Sequence, residues 1–127
     1  MGAPAYSRGF RATILVVDDE PRLRALMVRS LKEVGFRVLS AADGIEALAI
    51  LDEAGPIDLL VTDIGMPGVD GRMLAAQFVA YEAHAPTLFI SARVPEGPPL
   101  PGAFLAKPFS PAALAATAAE MLAAARR

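Results

Sequence analysis

The chain contains no cysteine among its 127 residues, which excludes a disulfide framework, a thiol nucleophile and a thiolate metal site. Long apolar runs are also absent. The longest ones fall far short of the roughly 20 residues needed to span a bilayer, and the N-terminus lacks the apolar core of a signal peptide. These absences predict a soluble, cytoplasmic protein that has no membrane partner.

The chain also lacks a large excess of charge of either sign. Twelve basic and 14 acidic residues give a formal net charge of −2, and the basic residues are scattered along the sequence. We therefore expect no direct contact with nucleic acid. A hydrophobic content of 54% supports the core of one domain. We predict a flexible leader over residues 1–12, which are small, polar and glycine-containing, and one domain over residues 13–127.

Short apolar segments alternate along the chain with stretches of helical periodicity. Strands are predicted over Thr13–Val17, Phe36–Ala41, Ile57–Thr62, Thr87–Ile90 and Ala103–Ala106. Helices are predicted from Leu23 to Val34, after Asp43-Gly44, from about Arg72 to Ala83, and from Pro111 to about Ala125 with Ser110 as N-cap. This alternation indicates an α/β fold with a parallel sheet and right-handed crossovers.

Charged residues follow three of the predicted strands. Asp18 and Asp19 follow the first strand, Asp63 follows the third, and Lys107 follows the fifth. If the first and third strands lie side by side in one parallel sheet, three carboxylates meet at its carboxyl edge, where open α/β sheets place their ligands. Three neighbouring anions need a counter-cation, and Mg²⁺ prefers carboxylate, carbonyl and water oxygens. The sequence therefore predicts a magnesium site beside a lysine.

The order of Asp18-Asp19, Asp63, Ser91 and Lys107-Pro108 at strand ends resembles the receiver domain of two-component response regulators. The resemblance extends from about Thr13 to the C-terminus. It implies a flavodoxin-like, doubly wound sheet of five strands in the order 2-1-3-4-5. It also implies that Asp63 accepts a phosphoryl group from a histidine kinase or a histidine phosphotransfer protein.

The resemblance implies roles for the other residues of the set. Asp19, Asp63 and the backbone carbonyl of Gly65 would bind Mg²⁺ directly, and Asp18 would act through water. Lys107 would pair with phosphoryl oxygens. The Ser91 hydroxyl would donate to another such oxygen and trigger the conformational change, with Phe104 as the switch aromatic. The Lys107–Pro108 peptide is expected to be cis. Such a domain phosphorylates and dephosphorylates itself and signals to a downstream protein, without being a conventional turnover enzyme.

Each assignment has a simpler alternative. Asp18, Asp19 and Glu20 are also typical of acids at a helix start, where the helix dipole favours them. Asp63 alone is compatible with a turn acid, Lys107 with a surface lysine at a strand end, and Ser91 with a structural serine. The ordered set favours the signalling site over these separate interpretations.

The segment Arg93–Gly102 departs from the family pattern, because the family has a helix between strands four and five. Here prolines stand at 95, 98, 99 and 101. One interior proline costs a helix about 3 kcal/mol, so we predict an irregular loop and no helix.

This departure places the family's usual output surface in doubt. It is also compatible with a second function, that of a pseudo-receiver, which has the same fold and binds partners without being phosphorylated. A third class, the haloacid-dehalogenase-type phosphatases, needs an acid two residues after the nucleophile. This chain has Gly65 at that position, which argues against this class.

Overall fold

The computed structural model of the protein describes residues 11–126. Its centre is a single parallel sheet whose strands lie in the order β2-β1-β3-β4-β5. The strands are β1 (Thr13–Val17), β2 (Arg37–Ala41), β3 (Leu59–Asp63), β4 (Thr87–Ser91) and β5 (Ala103–Ala106). The fold class and strand order predicted from the sequence are confirmed.

Four helices connect or follow these strands within the described residues. They are α1 (Pro21–Glu33), α2 (Gly44–Glu53), α3 (Gly71–Tyr81) and α4 (Pro111–Ala125). The N-terminus of each of these helices is capped by a side chain that accepts hydrogen bonds from backbone amides. The capping residues, in chain order, are Glu20, Asp43, Asp70 and Ser110. The predicted caps Asp43 and Ser110 are therefore confirmed. No helix in residues 11–126 is both long enough and apolar enough to cross a membrane.

The sheet is covered on both faces. One core cluster joins the sheet to buried residues of α1 and α4, and the other joins it to buried residues of α2 and α3. All five residues of β1 and of β3 are buried, because these central strands have neighbours on both sides and helices on both faces. Asp63 at the end of β3 and the acids that follow β1 are thereby held on a rigid frame.

The chain between β4 and β5 contains no helix, as predicted from its prolines. We call residues 92–102 the proline loop. Strand β5 is consequently less covered than the central strands: its residues alternate between half-buried and exposed, and Phe104 is 38% exposed. The missing helix thus leaves part of one sheet face accessible to solvent.

Most of the predicted leader, residues 1–10, lies outside the described residues. Of the other two, Arg11 is exposed, whereas Ala12 is buried and its carbonyl oxygen accepts the amide of Arg37 at 2.9 Å. Ala12 therefore packs with the domain and extends the pairing between β1 and β2.

Candidate functional site

Three carboxylates meet at the carboxyl edge of the sheet. Val17 of β1 lies in register with Thr62 of β3, so the next residues, Asp18 and Asp63, lie side by side at the edge of the sheet. Asp19 joins them, and one carboxylate oxygen from each of the three acids lies within 4.8 Å of the others. The structure thus brings together the three acids that the sequence placed at strand ends.

Asp18 is the most deeply buried of the three acids, with an exposed fraction of 0%. Its Oδ1 accepts the backbone amide of Glu20 at 2.8 Å. Its Oδ2 is buried, lacks a hydrogen-bond partner of good geometry among the described residues, and lies 3.1 Å from Lys107 Nζ. Burial raises the pKa of Asp18, and this outweighs the opposite effects of the Glu20 amide and of Lys107. An additional cation beside Oδ2 would favour the charged form.

Lys107 lies between the acids of β1 and β3. Its amide donates to the Ser91 carbonyl at 2.9 Å, which extends the pairing of β5 with β4. Its Nζ is 3.1 Å from Oδ2 of Asp18 and 3.1 Å from Oδ2 of Asp63. Burial acts to lower the pKa of Lys107, but the two carboxylates act more strongly in sum and raise it. The ammonium therefore stays charged at neutral pH. The Lys107–Pro108 peptide is cis, as expected.

Asp63 is held from several sides and remains 8% exposed. Its Oδ2 accepts a hydrogen bond from Lys107 Nζ, and its Oδ1 accepts the Gly65 amide at 3.2 Å. Its carbonyl oxygen accepts the Thr62 hydroxyl at 2.9 Å. The carboxylate is thus fixed in orientation at the end of a buried strand, which suits a group that must meet an incoming electrophile.

The other predicted residues lie around this centre. Ser91 ends β4, is half-buried, and its Oγ accepts the amide of Arg93 at 3.1 Å. Phe104 lies in β5 opposite Phe89 and is partly exposed. Gly65 is exposed, and its backbone amide donates a hydrogen bond to Asp63 Oδ1.

The donor set fits a hard divalent cation. Three carboxylates face one ammonium, so the centre carries an excess of negative charge, and the buried Asp18 Oδ2 has no good hydrogen-bond donor in the described residues. Mg²⁺ takes carboxylate and carbonyl oxygens together with waters, and these are the groups at this edge.

Two residues with structural roles around the site, Arg24 and Arg72, were not predicted, whereas Glu20 was expected as an acid at a helix start. Glu20 caps α1 by accepting the amides of Arg22 at 3.0 Å and Leu23 at 2.7 Å. Arg24 Nη1 donates to the Asp18 carbonyl at 2.8 Å. Pro21 at the first helical position was a sequence signal for the cap. Arg24 had no such signal. The second unpredicted residue, Arg72, contacts the proline loop.

Known proteins resemble this chain in sequence and in fold. The family model described as the response regulator receiver domain matches residues 14–97. The sensor kinase CckA of Brucella abortus is 38% identical over an alignment of 118 residues that covers 87% of this chain and 12% of that kinase. The chain therefore spans only a small part of that relative.

Two solved structures extend the comparison. The receiver domain of the hybrid histidine kinase CckA has a TM-score of 0.79 and 40% identity, over 87% of this chain and 99% of that one. The response regulator TrrA from Thermotoga maritima, in complex with Mg²⁺-BeF, has a TM-score of 0.76 and 30% identity. That match covers 87% of this chain and 98% of the other.

Proposed function

Since this chain belongs to the response regulator receiver domain family of two-component signalling, we propose that Asp63 accepts a phosphoryl group from a phosphohistidine. The donor would be a histidine kinase or a histidine phosphotransfer protein. The observation that carries the proposal is the position of Lys107 Nζ, 3.1 Å from both Asp18 and Asp63. One protonated amine beside the acceptor carboxylate is placed to neutralise charge on an incoming phosphoryl group.

The transfer step exchanges one bond for another. A carboxylate oxygen of Asp63 attacks phosphorus, a P–O bond forms, and the P–N bond to the donor imidazole breaks. The imidazole leaves with the electron pair and takes up a proton from solvent. Asp63 thereby becomes an aspartyl phosphate, while Lys107 pairs with the phosphoryl oxygens.

Residues of this centre would hold Mg²⁺ as the cofactor of the reaction. Asp19, Asp63 and the Gly65 carbonyl would bind it directly, with Asp18 acting through water. When bound, the cation supplies neutralisation of phosphoryl charge. The acidic cluster and the buried Asp18 Oδ2 support this proposal. The relative TrrA, solved with Mg²⁺-BeF, gives it further support.

Ser91 and Phe104 would carry the change to protein partners. In this structure the Ser91 Oγ accepts an amide at the start of the proline loop, which leaves its hydrogen available to donate. A new bond from this hydroxyl to a phosphoryl oxygen would draw in the end of β4, and Phe104 on the neighbouring strand would follow. Output would then occur through contact with a downstream protein in the cytoplasm, with no direct contact to nucleic acid.

One observation favours a second function, that of a pseudo-receiver which binds a partner without phosphorylation. The helix between β4 and β5 is missing, and receivers of this family commonly use the surface around it for output. The two functions differ in whether Asp63 reacts.

Acetyl phosphate with Mg²⁺ distinguishes the two functions. We expect intact-mass spectrometry to show one added phosphoryl group on the wild type and none on Asp63→Asn. The control Glu53→Gln, which changes an exposed acid near the end of α2, should be labelled like the wild type. An unlabelled wild type would favour the pseudo-receiver, and label retained in Asp63→Asn would refute Asp63 as the acceptor.

A further inference from the structure

The proline loop, residues 92–102, has few backbone donors of its own because its four prolines have no N–H group. Its beginning is attached to the candidate site, where the Arg93 amide donates to Ser91 Oγ at 3.1 Å. Near its end, Leu100 packs against the core cluster on the α2 and α3 side. The backbone carbonyl groups in the middle of the loop therefore need hydrogen-bond donors from elsewhere in the molecule.

Arg72 supplies that donor from the first turn of α3. Its Nη2 donates to the carbonyl oxygens of Glu96 and Pro98, both at 2.8 Å. Gly97 lies between these two residues with φ of 91°, a conformation that glycine adopts easily, and the turn there brings both carbonyls to the guanidinium. A rigid guanidinium with five donors suits two simultaneous contacts better than a flexible ammonium does.

The first turn of α3 itself packs against the backbone of Asp63 and Ile64. Gly71 precedes Arg72, and its amide donates to the Ile64 carbonyl at 2.9 Å. A Cβ built on Gly71 would be 2.2 Å from the Asp63 carbonyl oxygen, so the helix start lies directly against the backbone of Asp63. Two adjacent residues, Gly71 and Arg72, therefore make the contact with Asp63 and the contact with the proline loop.

The loop held in this way presents an exposed surface. Val94 is 85% exposed, and Pro98, Pro99 and Pro101 are exposed as well. This surface stands where the missing helix would lie, between β4 and β5. A change in the position of the first turn of α3 would move this exposed surface through the Arg72 contacts.

We propose that Arg72 is a positioning residue that clamps the proline loop to α3 and transmits a change at Asp63 to the exposed surface of that loop. The transmission rests on the proposed phosphorylation of Asp63. The clamp itself does not. Two arms of one NMR experiment separate the clamp from the transmission.

The first arm measures the clamp through ¹⁵N relaxation of the amides of residues 94, 96, 97 and 100 without phosphate analogue. We expect order parameters of about 0.8 in the wild type and below about 0.6 in Arg72→Gln, because the loop loses both contacts. Arg72→Lys should be intermediate. The control Arg29→Gln, an exposed arginine of α1, should match the wild type. Order parameters in Arg72→Gln equal to those of the wild type would overturn the clamp.

The second arm measures the transmission by adding beryllofluoride with Mg²⁺ as the phosphoryl analogue. In the wild type, the amides of Gly65 and of Glu96 and Gly97 should all shift. In Arg72→Gln the Gly65 amide should still shift, whereas the shifts at residues 96 and 97 should fall at least about threefold, since the connecting contacts are gone. Loop shifts of wild-type size in this variant would overturn the transmission. A wild type in which the Gly65 amide does not shift would overturn the proposed function and the transmission, while the first arm still decides the clamp.

Discussion

Gly71 and Asp63 are in direct backbone contact, so close that a Cβ on Gly71 would lie 2.2 Å from the Asp63 carbonyl oxygen. Real Cβ atoms essentially never approach a neighbour so closely. The candidate acceptor and the start of α3 can therefore keep this arrangement only with glycine at position 71. Any larger residue must move the helix or the end of β3.

Gly71→Ala should destabilise the protein although alanine favours helices. The helical gain is about 1 kcal/mol, whereas forcing a methyl group into a filled space costs about 1–3 kcal/mol. We expect a net loss of stability in urea unfolding, together with slower labelling of Asp63 by acetyl phosphate. The stability control is Gly65→Ala, where a Cβ would meet nothing within 4 Å. Equal stability of Gly71→Ala and wild type would contradict the steric argument.

Lys107→Met should destabilise the protein by about 3 kcal/mol in the presence of a chelator, because it leaves the buried Asp18 without its cation. Adding Asp18→Asn to this variant should recover most of the loss, since the unpaired charge is then removed. Urea unfolding of the two single variants and the double variant measures the coupling. Lys32→Met changes an exposed lysine and should stay within about 0.5 kcal/mol of the wild type. A double variant no more stable than Lys107→Met would show that the charge of Asp18 is not the cause.

Asp19→Ala and Lys107→Ala should separate metal binding from phosphoryl binding. The first change removes a proposed direct ligand and should weaken Mg²⁺ binding by at least about tenfold, the loss typical of even an outer-sphere partner. The second removes a competing cation and should leave the Mg²⁺ affinity unchanged or slightly higher, while it slows labelling of Asp63. Calorimetric titration with Mg²⁺ measures both affinities. Equal losses in the two variants would refute this division of roles.

The sequence predicted most of the fold because the relevant signals are local. The central strands β1 and β3 are buried on both faces, so they appear as continuous apolar runs that end at acids. Prolines exclude a helix through their own geometry, so the irregular loop between β4 and β5 was also predictable. The meeting of Asp18, Asp19 and Asp63 follows once β1 and β3 are neighbours, since the carboxyl ends of parallel strands share one edge, but that strand order came from the family resemblance.

The contacts that fix the site in detail were not predictable for a physical reason. Arg72 meets the carbonyls of residues 24 and 26 positions further along the chain. A backbone carbonyl is the same in every residue, so this contact leaves no pattern of residue types. Arg24, which donates to the Asp18 carbonyl, shares this property. The close approach of Gly71 to Asp63 also depends on the angle at which α3 leaves the sheet, which the sequence alone does not give.

Tyr81→Phe should reduce stability in a way that disappears at high pH. The Tyr81 hydroxyl donates to the carboxylate of Asp52, and this hydrogen bond, with burial and the Asp52 charge, raises the pKa of Tyr81 above its ordinary value of 10.0. A pKa that is higher in the folded state means that the protonated phenol stabilises the fold. The contribution is therefore complete below the unfolded pKa and is lost as the pH rises through the folded pKa.

We expect urea unfolding to show a more stable wild type than Tyr81→Phe at about pH 8, and a smaller difference as the pH rises above about 10. Subtracting the phenolate absorbance of Tyr81→Phe from that of the wild type isolates the titration of Tyr81 from that of Tyr6, the other tyrosine of the chain. Asp52→Asn serves as the matched control, because it removes the charge and should return the Tyr81 titration toward its ordinary pH. A stability difference that persists above the measured titration, or a titration unchanged by Asp52→Asn, would show that the Asp52 hydrogen bond does not cause the shift.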